Sequence, residues 1–363
     1  MCIFANMMKK VIVSVTNDLN TDQRVFKVCQ SLQKMGYEVE LIGRLNSWSK
    51  PLKRDYSTHR FKTFFSSGPL FYLEFNFRVF FLLLFKPCNV LLSNDLDTLV
   101  SNYFASLFKG VPLVYDSHEL FTEVPELMTR PYKKRLWKSI ESFLLPKQKY
   151  SYTVCDSISN FYKEAYGVQM KVVKNVPLLK GSFSANKTKT LIYQGNMNPG
   201  RGIDLAIKCM PFLPDFILKI IGNGPGFSGL QQLAVQLGVS ENVQFFGRIP
   251  YDEMEVHTRQ AAVGILFEEP YGLSFQYSLP NKLFDYIHAQ TPVLATPLVE
   301  VKQVIDKFPV GQTLVDRHPK NIARQIIQMV ENNHQFRFED AMNEYNWQNE
   351  ERVLASIFHQ TEC

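Results

Sequence analysis

Cysteine is scarce and scattered: six in 363 residues, at positions 2, 29, 88, 155, 209 and 363, with no CxxC pair. That pattern excludes a disulfide framework and a thiolate zinc site, and it fits a reducing, cytoplasmic compartment. No GxGxxG follows the first strand-like run, so a dinucleotide cofactor is not supported. There is no Arg-rich repeat, zinc-finger or helix-turn-helix pattern, which leaves nucleic acid without a reader. No apolar run reaches the ~20 residues that span a bilayer; the most apolar, Val79 to Phe85, is bracketed by Arg78 and Lys86. The first residues, MCIFANMMKKVIVSV, put their charges after the apolar ones, unlike a signal peptide, and Met7 or Met8 is an alternative start.

Aromatic residues are abundant, with 29 Phe and 16 Tyr, many of the Phe between Phe61 and Phe85. Charge is uneven. Residues 1–180 hold 25 Lys+Arg against 15 Asp+Glu, a net of +10, whereas residues 181–363 hold 15 against 19, a net of −4, matching the total of +6. A basic first half suits an anionic partner such as an acidic glycan or an anionic membrane surface. The segment Pro131 to Lys149 is the most basic: Lys133, Lys134, Arg135, Lys138, Lys147 and Lys149 alternate with Leu136, Trp137, Ile140, Phe143 and Leu144. It reads as a basic helix with an apolar stripe, either a solvated face over the core or a peripheral membrane contact on the inner face.

The length suggests two domains, and strand-like and helix-like segments alternate, the pattern of parallel sheets covered on both faces. Strands are predicted at Val11–Thr16, Glu38–Ile42, Phe61–Phe65, Asn89–Ser93, Leu113–Tyr115, Tyr152–Cys155 and Lys171–Val176. Helices are predicted at Thr21–Met35, ending at Gly36, at Leu70–Phe85 and at Thr98–Phe108. Asp95 and Asp97 form an Asp-x-Asp that reads as a cap for the last of these rather than as a metal site. At the end of the Leu113–Tyr115 strand stands Asp116-Ser117-His118-Glu119-Leu120. Ligands of open α/β sheets bind at the carboxyl ends of strands, and an imidazole there can donate to or accept from a sugar hydroxyl. Residues 180–189, KGSFSANKTK, read as a linker. The expected domains are 1–180, 190–335 and a terminal helical segment, 336–363.

Beyond the linker, strands are predicted at Thr190–Gln194, Phe216–Ile221, Asn242–Phe246, Ala262–Phe267, Pro292–Ala295 and Gln312–Val315. The first runs into Gly195-Asn196-Met197-Asn198-Pro199-Gly200-Arg201-Gly202, the second into Gly222-Asn223-Gly224-Pro225-Gly226. Glycine lets a phosphate approach the backbone, and Arg201 brings fixed positive charge. The stretch GILFEEPYGLSFQYSLPNKLFDYIHAQTPVLAT, Gly264 to Thr296, holds Glu268 and Glu269 after a strand and then a helix predicted to start at Ser278-Leu279-Pro280. A helix start favours a phosphate, and Asp285 one turn in suits ribose hydroxyls.

SLPNKLFDYIHAQTPVLAT, with the two glycine turns before it, resembles the donor site of GT-B glycosyltransferases of the family-4 type. The resemblance implies two Rossmann-like, doubly wound domains facing each other across a cleft, with a terminal helix around Trp347 crossing back to the first domain. It implies transfer of a sugar from a UDP- or GDP-sugar to a glycan or lipid-linked acceptor, with retention and no metal or other cofactor. It places His118 against the transferred sugar and Arg201 and Lys282 at the diphosphate. Gly195, Asn196, Gly222, Asn223, Gly224, Glu268, Glu269, Ser278, Asn281 and Asp285 would line the nucleotide sugar. The chain departs from the family where a basic residue commonly follows the first glycine, here Asn196. It departs again where two glutamates eight positions apart are usual, here Tyr277 and Asp285. A sugar-nucleotide epimerase, or a non-catalytic binding or scaffold subunit, would share the architecture.

Overall fold

The computed structural model describes residues 8–20, 22–181 and 186–362. Thr21, Met7, Cys2, Cys363 and the middle of the 180–189 segment lie outside the described residues. The chain divides into two units, Met1–Lys174 with Glu350–Cys363, and Asn175–Asn349. These bounds differ from 1–180, 190–335 and 336–363, and hydrogen bonds give the reason. Pro177 O accepts from Trp347 N at 2.8 Å, and Gln348 Oε1 accepts from Leu179 N at 3.0 Å. The entry to the second unit and the segment before Glu350 are thus tied to each other.

In the first unit β1 (Lys10–Asp18), β2 (Glu38–Arg44), β3 (Ser57–Phe61), β4 (Val90–Asn94), β5 (Leu113–Ser117), β6 (Tyr150–Thr153) and β7 (Lys171–Val172) form one parallel sheet, ordered β3-β2-β1-β4-β5-β6-β7. Between them run α1 (Gln23–Lys34), α2 (Gly68–Phe85), α3 (Leu96–Lys109), α4 (Pro125–Met128), α5 (Pro131–Leu144) and α6 (Asp156–Tyr166). Central β1 is covered on both faces, so Val11, Ile12 and Val13 are all buried and the run is apolar without alternation. Asp22 caps α1, its carboxylate accepting from Val25 N, and Val25, Val28, Cys29 and Leu32 form the buried face. The third strand lies earlier than the expected Phe61–Phe65. Phe64 and Phe65 are exposed and their amides bond the Glu74 carboxylate instead of a neighbouring strand.

The second unit carries β8 (Thr188–Gln194), β9 (Ile217–Ile221), β10 (Val243–Gly247), β11 (Ala261–Leu266), β12 (Val293–Ala295) and β13 (Gly311–Thr313), parallel and ordered β10-β9-β8-β11-β12-β13. Its helices are α7 (Ile203–Cys209), α8 (Phe227–Gln236), α9 (Tyr251–Gln260), α10 (Gly272–Gln276), α11 (Asn281–His288), α12 (Val299–Lys307), α13 (Pro319–Glu331) and α14 (Glu339–Glu344). The last helix, α15 (Trp347–Gln360), starts in this unit; from Glu350 it belongs to the first. There Lys34 pairs with Glu351 at 3.0 Å and Tyr37 donates to Glu362 at 2.7 Å.

Each sheet has one place where the strand order reverses: between β1 and β4, and between β8 and β11. Helices leave such a point in opposite directions, which opens a crevice at the carboxyl ends of the strands. Both candidate sets of functional residues lie there.

Candidate active site

In the first unit the β5 end delivers His118 between two carboxylates. Its Nε2 lies 3.0 Å from Asp116 Oδ2 and its Nδ1 lies 3.1 Å from Asp95 Oδ2. The His118 amide also donates to Asp95 Oδ1 at 2.8 Å. Burial alone would lower the imidazole pKa, but Asp95 and Asp116 outweigh it and raise it well above 6.5. The ring is therefore an imidazolium held at both nitrogens, with neither free to accept from a sugar hydroxyl. Asp116 is itself buried; burial would raise its carboxyl, yet Arg24 and His118 hold it down at about 2. Arg24 grips it with Nε at 2.9 Å and Nη2 at 2.8 Å, and donates Nη1 to Val173 O at 2.8 Å. Such bidentate pairing lets a charge sit in a dry interior.

The Asp-x-Asp pair does not cap α3 as expected. Asp95 occupies the position before the helix without a side-chain cap bond, at φ 58°, a left-handed value uncommon for a non-glycine residue. That backbone turns its carboxylate toward His118. Asp97 points to β1 and accepts from the Thr16 hydroxyl. Burial, and then the nearby Asp95 charge, raise the Asp97 carboxyl to about 7. Among the described residues no three His, Cys, Asp or Glu side chains gather as metal ligands.

In the second unit the two glycine turns interlock. Gly195 and Gly222 have φ +134° and +139°, and a Cβ on Gly222 would lie 1.9 Å from Gly195 O. Gly195 N donates to Ile221 O at 2.9 Å and Met197 N to Asn223 O at 3.1 Å. Only glycine permits backbones this close at such angles. Asn196 and Asn223 are exposed beside the turns, and Gly224 N is bonded to Asn223 Oδ1 at 2.8 Å.

Beneath them lies an ion pair, Lys282 Nζ to Glu268 Oε1 at 2.7 Å, with Glu268 fully buried and Arg201 at 3.8 Å from the same oxygen. Lys282 Nζ sits 4.1 Å from the Tyr193 ring centre and 3.8 Å from where a Gly195 Cβ would be. Arg201 stacks over Phe275 at 4.7 Å. Glu268 thus reaches Lys282 rather than open space. Glu269 faces Arg317 at 3.8 Å, and Arg317 also donates to Thr296 Oγ1 at 2.9 Å. Arg317 carries no motif and was not legible in the sequence.

Helix α11 starts at Asn281 with Pro280 before it; Ser278 does not cap it, because its hydroxyl closes α10 by donating to Phe275 O at 2.8 Å. The Asn281 and Lys282 amides, at the positive end of the helix, have no intrahelical acceptor. One turn in, Asp285 accepts from Gln194 Nε2 and from the Tyr251 hydroxyl, each at 2.9 Å. Thr258 donates to Gln194 Oε1 at 2.7 Å, so the amide orientation is set from behind. No local pattern in the sequence marks Tyr251, Gln194 or Arg24, or the roles of Asp95 and Asp116, beyond the DSHEL cluster and an Arg beside the apolar face of α1.

Two parallel sheets ordered this way, each with its site at the reversal of strand order, define an α/β protein of the GT-B architecture. The sequence model "Glycosyl transferases group 1" matches residues 178–348, and "Glycosyltransferase Family 4" matches residues 22–176. The chain belongs to the family-4, group 1 glycosyltransferases and is a glycosyltransferase enzyme. A GDP-mannose-dependent α-(1-6)-phosphatidylinositol monomannoside mannosyltransferase of Mycolicibacterium smegmatis is 41% identical over 69 residues, 18% of each chain. An uncharacterised glycosyltransferase of Methanocaldococcus jannaschii is 22% identical over 292 residues, 72% of each. Among solved structures, sucrose-phosphate synthase of Thermosynechococcus elongatus superposes with TM-score 0.78 at 14% identity, over 97% of this chain and 98% of its own. Anabaena HepE, solved with UDP and glucose, has TM-score 0.78 at 14% identity, over 97% and 100%. At this identity the two structures speak for the fold.

Two outcomes test this geometry. Arg24→Ala strands the buried Asp116 and should cost ~3–5 kcal/mol in denaturant unfolding of the first unit. Asp97, whose folded pKa is raised, stabilises fully below the unfolded value and loses that contribution as pH rises through about 7. Asp97→Asn should therefore raise the thermal midpoint relative to wild type more at pH 8 than at pH 5, with the difference vanishing below about pH 4.

Proposed function

We propose that this glycosyltransferase moves a sugar from a UDP- or GDP-sugar to a glycan or lipid-linked acceptor in polysaccharide or glycoconjugate biosynthesis, with retention and without a metal. The observation that carries the donor assignment is the pair of interlocked glycine turns with Lys282 and Arg201 beside them. Backbone this close to the surface, two cations and the free amides of α11 suit a diphosphate. Lys282 brings to Gly195 the positive charge that Asn196 does not supply. The nucleotide and nucleotide sugars of similar proteins, UDP, UDP-glucose and GDP-mannose, belong to the same ligand class.

In this reading Asp285 takes the ribose hydroxyls by exchanging its bonds to Tyr251 and Gln194. Asn223, Gly224, Ser278 and Asn281 border the nucleotide, and Glu268 works at one remove by orienting Lys282. The anomeric carbon–phosphate oxygen bond breaks as the acceptor oxygen–carbon bond forms, and the departing phosphate takes the acceptor proton. Arg201, Lys282 and the loop amides meet the charge that develops on the leaving group. In the first unit His118 acts as a fixed imidazolium that positions the sugar, through its charge and through Asp95. The acceptor is assigned to this basic, aromatic unit.

A second reading, a non-catalytic binding subunit, draws on Tyr277 standing where a carboxylate is usual and on Glu268 being sealed under Lys282. Thermal unfolding with saturating UDP, GDP, ADP or dTDP separates the two. A nucleotide at ~100 times its dissociation constant adds ~2.7 kcal/mol, a shift that Asp285→Ala should remove; no shift with any nucleotide favours the binding subunit. Arg201→Ala should slow hydrolysis of the donor by ~10²–10³ while leaving the thermal midpoint near wild type, as for a group acting on developing charge; equal losses in both would reassign it to structure.

A further inference from the structure

Helix α2 has two apolar faces and only one is used. Phe71, Phe75, Val79 and Leu83 recur every four residues and are buried. On the other side Leu70, Leu73, Phe77, Phe81 and Phe85 are 41–82% exposed. From Leu70 to Phe85 this stripe is roughly 22 Å long at 1.5 Å per residue. Helix α3 widens it with Phe104, Leu107 and Phe108, joined through a Phe80–Phe108 ring contact at 5.9 Å. Isolated exposed apolar residues are ordinary, but a contiguous aromatic field on two helices marks an interaction site.

We propose that this α2–α3 face docks the first unit onto an anionic lipid bilayer. The helix lies in the interface and does not cross it. It is 18 residues long and apolar enough to span by composition, yet it is the crossover between β3 and β4 of one sheet. A spanning helix would leave those two strands on opposite sides of the membrane. Two charges at mid-helix, Glu74 and Arg78, pair with each other at 2.8 Å.

Charge around the field selects the occupant. Lys62 is exposed ahead of α2; at the far ends of α2 and α3 Lys109 Nζ donates to Lys86 O at 2.6 Å, while the Lys86 ammonium is taken up by Glu40 at 2.6 Å. Right-handed crossovers lay α2, α3 and α5 on one face of the sheet, and Tyr72 of α2 touches Trp137 of α5 at 5.0 Å between ring centres. Helix α5 turns Tyr132, Leu136 and Phe143 outward. Its cations are divided: Lys134 and Lys138 pair with Glu123, whereas Lys133 and Arg135 show no ion pair among the described residues. The basic stretch is thus only partly available to headgroups, and the apolar anchor lies on α2 and α3. Glu126 on α4, exposed without a cation partner among the described residues, offsets part of this charge, but Lys62, Lys133 and Arg135 show no ion pair among the described residues and leave the rim net positive. Two copies meeting through this face would bring basic rims together, whereas anionic headgroups complement them.

The test uses the full chain and sedimentation with vesicles of phosphatidylcholine, with and without phosphatidylglycerol. The wild type should sediment with the mixed vesicles, less so as salt rises. F77Q/F81Q/F108Q should lower partitioning ~tenfold or more in both lipids, and K133E/R135E should lower it only where phosphatidylglycerol is present. Phe108→Gln alone, at a side chain 73% exposed, should move in the same direction without touching the fold. Unaltered thermal midpoints verify that the variants fold, and because nucleotide shifts are read separately, the donor assignment stands or falls by itself. Absence of wild-type sedimentation, or equal partitioning of the triple variant, overturns the proposal. A concentration-dependent dimer in analytical ultracentrifugation that the triple variant abolishes also overturns it, in favour of a second copy.

Discussion

A carboxylate buried away from water must bring its cation with it, and both halves of this protein are arranged around that requirement. Asp116 is fully buried at the end of β5 and is gripped by Arg24 from α1; Glu268 is fully buried just beyond β11 and is matched by Lys282 from α11. In each case the cation reaches in from a separate element, so helix and sheet are locked where the strand order reverses. A partner lost would leave an uncompensated charge in a dry interior, which costs more than the pair returns. The pairs therefore fix position, and the groups above them inherit that position.

What stands on those pairs differs. In the first unit it is His118, charged because two carboxylates flank it, presented on the end of a strand with Asp95 turned toward it by an unusual backbone. In the second it is bare backbone: two turns whose glycines approach within a distance no side chain tolerates, with Lys282 and Arg201 at hand. The departures from the family pattern make physical sense together. Asn196 supplies no charge, and Lys282 supplies it next to Gly195. Asp285 is a shorter acid than glutamate, and Tyr251 and Gln194 hold it at defined bonds.

Elements with strong periodicity were legible with little error. The strands at 11–16, 190–194 and 262–267 lie within a few residues of their observed bounds, because a central strand covered on both faces is a continuous apolar run. Edge elements were not. The apolar run Phe61–Phe65 suggests a strand, whereas Ser57–Phe61 is the segment that pairs, and Phe64 and Phe65 face outward. Helix α11 was placed to begin at Ser278 by its capping chemistry, but that hydroxyl closes the helix before it. Local propensity could not decide between two adjacent helix ends, since both would use the same side chain.

The sequence by itself determined the alternation of strands and helices, the two glycine turns, the PNKLFD helix and the uneven charge, all of which are local patterns or sums over local patterns. It therefore determined the architecture and the class of enzyme. Only the tertiary structure decided which charges meet: Arg24 with Asp116 across 92 residues, Gln194 with Asp285 across 91, Asp95 with His118 rather than with the helix it precedes. It alone decided which face of α2 is covered. Both stripes repeat with helical spacing and both are wholly apolar, so the choice between core and surface rests on which one the sheet reaches.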